Sequence, residues 1–153
     1  MKKVILIVSG KSKEEFYLKE EKDYLKRLKN IDLDIIELKP QISKEKNDQQ
    51  VIDKINSVSN KVKPTTILLD EKGSLLNSTE FSNWLYSKLE SNSSIPLILV
   101  VGAAEGHGAA IKKFAHGSIS LSKMTLPHRL ARLMLIEQIY RAETIHLRHP
   151  YHK

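Results

Sequence analysis

Three short runs carry almost nothing but apolar residues: "VILIV" (Val4–Val8), "TTILL" (Thr65–Leu69) and "PLILVV" (Pro96–Val101). A strand with one wet face alternates polar and apolar side chains, so strands that do not alternate must be covered on both faces. Between them lie amphipathic stretches of helical period, and two further segments read as strands, "DLDIIEL" (Asp32–Leu38) and "SISLS" (Ser118–Ser122). Strands alternating with helices make an α/β fold, a mainly parallel sheet with helices on both faces. The first run follows two lysines, but five apolar residues with no small-residue cleavage site after them do not make a secretory signal. The expectation is a buried first strand and a cytoplasmic protein with no membrane association.

The helices are marked by their punctuation. Ser12 with Glu15 reads as a capping box before Tyr17, Leu18, Tyr24, Leu25 and Leu28, and Asn77 with Glu80 as another before Phe81, Trp84, Leu85 and Leu89. A helix is expected around Val51, Ile55, Val58 and Val62, closed by Pro64, with Gln41–Gln50 as a loop before it. "DEKGS" should turn the chain away from the third strand, and "ESNSS" (Glu90–Ser94) should be a surface loop. A short helix is expected over Ala109–Ala115, and a long one from about Arg129 to beyond Tyr140. In "HRLARLMLIEQIYRA" the apolar positions exceed the stripe that one core face requires. Arg132, Glu137, Gln138 and Arg141 oppose complete burial, which favours a homodimer contact.

At 153 residues the chain suits one domain, and without cysteine it has neither disulfides nor a thiolate metal site. The net charge of +7 is concentrated: from Lys123 onward there are six Lys/Arg against two Glu. A basic segment favours an anionic partner, nucleic acid first. "VGAAEGHG" follows the fourth strand, at the sheet end where α/β folds bind ligands, but it matches neither a Walker loop nor a dinucleotide fingerprint. It reads equally as a ligand loop and as a tight strand-to-helix turn. His146, His149 and His152 are interrupted by Pro150 and have no carboxylate nearby in sequence, so no metal is expected. No Gly-x-Ser-x-Gly elbow supports a hydrolase triad. Composition and pattern alone reach a dimeric α/β protein with an anionic partner.

"SLSKMTLPHRLARLMLIEQIYRAETIHLRHPYHK" (Ser120–Lys153) takes the reading further. It resembles the C-terminal third of the RlmH family, SPOUT-class methyltransferases that modify N3 of a pseudouridine in large-subunit ribosomal RNA. The match lies in S-K/A-x-T-L/F-P-H, then "YRA", then a closing "PYHK". The opening "MKKVILIVSGKSKEEFYLKEEKDYLKRL" is similar to the family's first strand and helix, and "LLDEKGSLLNSTEF" stands in the place of its LD/E-x-x-G-K turn.

The resemblance implies a single SPOUT domain over 1–153 whose C-terminal segment forms a trefoil knot. It also implies S-adenosylmethionine as cofactor, a homodimer, and ribosomal RNA on the assembled ribosome as partner. Leu69, Gly102, Leu121, Ser122, Lys123, Met124, Thr125 and Leu126 are thereby assigned to the cofactor. Tyr151, His152 and Arg141 form the catalytic set, Tyr151 and His152 placing the target base and offering a proton acceptor. Arg141, Arg148 and Lys153 would hold the RNA backbone, and His128 would be structural, holding the knot. The family carries Gly-Gly after its fourth strand, whereas this chain has Gly102-Ala103, which fits only if residue 103 has negative φ. Two other readings are a SPOUT enzyme with a different RNA target and a non-catalytic ribosome- or RNA-binding protein. Cofactor binding separates the enzymes from the latter.

Overall fold

In the computed structural model, which describes residues 1–91 and 93–153, every strand pairing is parallel and the sheet order is β2-β1-β4-β3-β5. The strands are β1 (Lys2–Ser9), β2 (Ile31–Leu38), β3 (Thr66–Leu75), β4 (Leu97–Val101) and β5 (Gly117–Ser120). The helices are α1 (Glu15–Arg27), α2 (Lys44–Val58), α3 (Ser78–Ser91), α4 (Ala109–Phe114) and α5 (His128–His146). Strand alternation sorts the apolar runs into two cores. Val4, Leu6, Val8, Leu97, Leu99 and Val101 meet Leu85, Leu135, Ile136 and Ile139 on one face. Ile5, Ile7, Ile98 and Val100 meet Ile55 and Ile111 on the other. The expectation of strands covered on both faces holds.

Several local expectations are corrected. Ser12 does not cap α1: the helix starts at Glu15, Glu14 takes the cap position without a side-chain bond, and the Ser12 N–H donates to Glu37 Oε2 at 3.0 Å. Tertiary pairing overrides the local motif. Lys44–Gln50, expected as loop, is the first half of α2, capped by Ser43, whose hydroxyl accepts the Lys46 N–H. That helix ends at Val58, well before Pro64, and Val62 is exposed. "DEKGS" does not leave the sheet: β3 continues to Leu75, with a register shift against β5 between Leu69 and Ser74. Gly73 makes this possible, because a Cβ there would lie 2.7 Å from the Ile119 backbone. Of "ESNSS", Glu90 and Ser91 belong to α3 and Ser93 and Ser94 to a turn, and Asn92 lies outside the described residues. The Asn77–Glu80 box is present and reciprocal, at 2.8 and 2.9 Å.

α5 is tied into the fold by charge as well as by its apolar face. Arg132, only 7% exposed, gives two bonds to Glu21 of α1 (2.6 and 2.9 Å) and one to Glu37 of β2 (2.7 Å). Burial opposes ionisation at both Arg132 and Glu37. The bonds to Glu21 and Glu37 outweigh it at the guanidinium, and those from Arg132 and the Ser12 amide outweigh it at the Glu37 carboxyl, raising the one and lowering the other from their ordinary values. So the residue expected to resist burial is buried together with Glu21, while Glu37 reaches it from the surface. Further along, Glu143 accepts the N–H groups of Lys29, Asn30 and Ile31 at 2.9, 2.6 and 2.8 Å. Those three amides open β2, and a neutral amide side chain has one acceptor oxygen where the carboxylate has two. Glu143→Gln is therefore expected to lower stability by about 2 kcal/mol, since a buried donor left unmatched costs about 1–3 kcal/mol. Urea unfolding measures it, and an unchanged midpoint would show that the amides do not depend on the charge.

Candidate functional site

The carboxyl ends of β4 and β5 and the middle of β3 open onto a cleft of about 370 Å³. Three segments make its walls: the middle of β3 from Leu69 to Lys72, the loop after β4 from Gly102 to His107, and the loop between β5 and α5. Leu69, Gly102, Leu121, Ser122, Met124, Thr125 and Leu126 all line it, whereas Lys123 is exposed and does not. The loop after β5 is shaped by its own hydroxyls. Ser120 Oγ donates to the Ser122 carbonyl at 2.7 Å, the Met124 N–H donates to Ser122 Oγ at 2.9 Å, and Thr125 Oγ1 donates to Glu71 Oε2 at 2.6 Å. The last bond ties this loop to the irregular stretch of β3, which is why that stretch borders the cleft. His128, for which the resemblance implies a structural role, is exposed and borders the cleft at the start of α5.

Ala103 fits its position. Arg148 is the only non-glycine described residue with positive φ, so Ala103 has the negative φ that a methyl group tolerates. Gly102 matters for closeness: a Cβ there would stand 3.0 Å from His107 Cε1. His107 itself, missed by sequence reasoning, lies across the cleft wall with Nε2 2.9 Å from the Leu69 carbonyl.

The C-terminal residues gather elsewhere. Glu137 Oε1 accepts from Arg141 at 2.7 and 2.9 Å and from the Tyr151 hydroxyl at 3.1 Å. Arg141 also lies over the Tyr151 ring, with Cζ 4.8 Å from its centre, and donates to His152 Nδ1 at 3.0 Å. A guanidinium only donates, so His152 carries its proton on Nε2 here. Arg141, Tyr151 and His152 thus form one cluster, with Glu137 as the member that sequence did not single out, although its spacing of four from Arg141 was visible. His146 stacks on Tyr86 with ring centres 3.6 Å apart. Arg148 and Lys153 are exposed. Arg141, Arg148, Tyr151, His152 and Lys153 are all absent from the lining of the cleft of their own chain.

The chain belongs to the SPOUT methyltransferase family: a family model described as "Predicted SPOUT methyltransferase" matches residues 1–152. Its relatives include proteins named ribosomal RNA large subunit methyltransferase H. That of Bacteroides fragilis is 35% identical and that of Parabacteroides distasonis 37%, each covering 98% of both chains. That of Mycoplasma capricolum is 33% identical, covering 99% of both. Among solved structures, the SpoU methyltransferase AviRb from Streptomyces viridochromogenes, in complex with the cofactor AdoMet, matches with a TM-score of 0.52 and 9% identity. The match covers 93% of this chain and 58% of that one, and it shows the fold.

Burial first, then Tyr24 and Glu137, push the Tyr151 hydroxyl well above the ordinary tyrosine value. Folding therefore favours neutral Tyr151, and the associated stability is present below pH of about 10 and lost as pH rises through the raised value. A spectrophotometric titration of wild type against Tyr151→Phe should show the missing phenol to be one that ionises above the ordinary range. A missing phenol that ionises at an ordinary pH would remove the Glu137 contact from the account.

Proposed function

We propose that the protein is an S-adenosylmethionine-dependent methyltransferase of large-subunit ribosomal RNA, acting on N3 of a pseudouridine on the assembled ribosome. In this reading it works in the cytoplasm as a homodimer, each chain one SPOUT domain over 1–153 with a knotted C-terminal segment. What carries the proposal is full-length likeness to relatives of that name, joined to a cleft whose walls are the segments marked by the resemblance. The topology supports the knot: the chain leaves β5 at the sheet edge, and α5 returns to pack on α1, α3 and β4. The dimer is supported by α5, which leaves Leu130, Leu133 and Met134 half-exposed. The C-terminal cluster stands apart from its own cleft, so a partner's cluster would complete the site.

The cleft suits the cofactor. Leu69, Leu121 and Leu126 offer apolar walls, and the bare Gly102 gives access to backbone groups for an adenine edge. Asp70, Glu71 and Glu105 favour the cofactor's positive charge, while Lys44, Lys72 and Lys112 favour its carboxylate. When bound, S-adenosylmethionine supplies an electrophilic methyl group on a sulfonium. The chain's own task is to hold the base in line and accept its imino proton. In the resting arrangement Arg141 occupies the lone pair of His152. An RNA phosphate drawing Arg141 away would free that lone pair as the proton acceptor, with neutral Tyr151 positioning the base by hydrogen bond or stacking. Arg148 and Lys153 would hold the backbone on either side.

Ribosomes lacking the modification, mixed with the protein and S-adenosylmethionine carrying a labelled methyl group, are the test. Incorporation into large-subunit RNA is expected, and removal of Tyr151–Lys153 should abolish it; retained methylation would refute the role of this segment. Cofactor binding without incorporation would point to another RNA target, and no cofactor binding to a non-catalytic RNA-binding protein. A separate expectation concerns Arg148, which holds φ 56° at the end of α5, where its N–H donates to Ile145 and that of His149 to Thr144. Glycine is favoured there. Arg148→Gly should stabilise the fold by about 1 kcal/mol by relieving the left-handed strain, yet weaken ribosome binding. Thermal melting and a sedimentation assay together check it; a gain in stability without loss of binding would leave Arg148 outside the RNA contact.

A further inference from the structure

We propose that His107 is a positioning residue for the cleft, a neutral clasp that joins the loop after β4 to β3 at Leu69 and so presets the wall on which the cofactor rests. The inference builds on the methyltransferase reading and adds a regulation to its site. His107 is gripped from two sides. Its ring lies on the bare Cα of Gly102, where a Cβ would come within 3.1 Å of Nδ1, and its Nε2 reaches the Leu69 carbonyl at 2.9 Å. Leu69 is the last residue of β3 before the register with β5 is lost, so the bond fixes the strand where it starts to depart. One residue further, the buried carboxylate of Asp48 from α2 accepts the N–H groups of Gly108 and Ile111, each at 3.1 Å. The loop is therefore pinned at both His107 and its exit into α4.

The protonation state follows from the partners. A carbonyl only accepts, so Nε2 carries the proton. In the neutral ring Nδ1 is then a bare acceptor, and it has no hydrogen-bond partner among the described residues. A second proton would create a donor without an acceptor and place a cation in a cleft meant for a cationic sulfonium. Around the ring stand Asp48 from α2, Asp70 from β3 and Lys112 from α4, and His128 of α5 is the second imidazole of the cleft. Burial lowers the His107 imidazole from its ordinary value, more than the Leu69 bond and the two aspartates raise it. His107 is therefore neutral at neutral pH, and the clasp fails only on acidification.

The test uses the intact protein with His128→Gln present throughout, so that only one cleft imidazole varies. S-adenosylmethionine is titrated calorimetrically at about pH 8 and about pH 5.5, either side of the ordinary histidine range. His107→Leu keeps the volume and removes the donor, and should weaken binding at the higher pH by about tenfold, one hydrogen bond's worth. His107→Gln keeps a donor that does not titrate. It should bind at the higher pH within about threefold of the histidine protein and escape the extra loss that the histidine protein shows in acid. Equal binding by the Leu variant, or equal acid loss in the Gln variant, would overturn the clasp. Long-range proton–nitrogen NMR of the ring, without any cofactor, reads the tautomer independently. The Nε2–H form is expected, and an Nδ1–H form would overturn the proposal even if binding behaved. If the wild-type protein, with His128 intact, bound no cofactor at either pH, the methyltransferase reading would fall, and the NMR tautomer would still decide the clasp.

Discussion

Arg132 decides where α5 lies. Its guanidinium is out of water and shared between a carboxylate of α1 and one of β2. A buried charge of this kind stabilises little on net, because desolvation cancels much of the attraction, but it discriminates strongly among packings. Any other seating of the helix would strand one charge or the other. The helix carries at its start two residues that border the cleft, His128 and Ala131, and at its end the Arg141–Tyr151–His152 cluster. Fixing its rotation and translation therefore fixes both halves of the candidate site at once. Glu143 repeats the device near the other end, where its carboxylate holds the start of β2.

The contrast between what sequence could and could not supply follows from the range of the interactions. The central strands were legible because burial on both faces leaves a mark in every residue from Val4 to Val8 and from Leu97 to Val101. The Asn77–Glu80 cap was legible because both partners lie within four residues. Ser12 and Glu15 carry the same local signal, and there it misled: Glu37, distant in sequence, takes the Ser12 amide, and the box never closes. Arg132 was read as an obstacle to burial for the same reason, since its partners lie on other elements. The extension of β3 past Asp70 depends on Gly73 meeting the backbone of Ile119, a contact with no local trace beyond a glycine that equally suggests a turn.

The site divides in the same way. Residue chemistry alone would have left Leu69 and Leu126 as core, and only resemblance placed them with Gly102 on one ligand. The structure brings them to one cleft with no charged group among them, which explains why their types are uninformative: an apolar wall has no signature apart from the core it extends. His107 was passed over because a lone histidine in a glycine-rich loop has no motif. Its meaning lies in the Leu69 carbonyl and the Gly102 surface, brought to it by two different strands.

The C-terminal cluster shows a balance that a purely structural helix end would not need. Arg148 occupies a left-handed position that glycine would take without strain, and Glu137 engages both Arg141 and Tyr151. A chain optimised for stability alone would relieve the first. Held this way, Arg141 is neither buried nor wholly free: its ion pair with Glu137 is partly buried, at 26% and 17% side-chain exposure, and on the proposed reading a phosphate would take the place of Glu137. On the proposed reading the same exchange would release His152 and leave Tyr151 as a neutral donor, so that substrate engagement and the unmasking of a proton acceptor would be a single event.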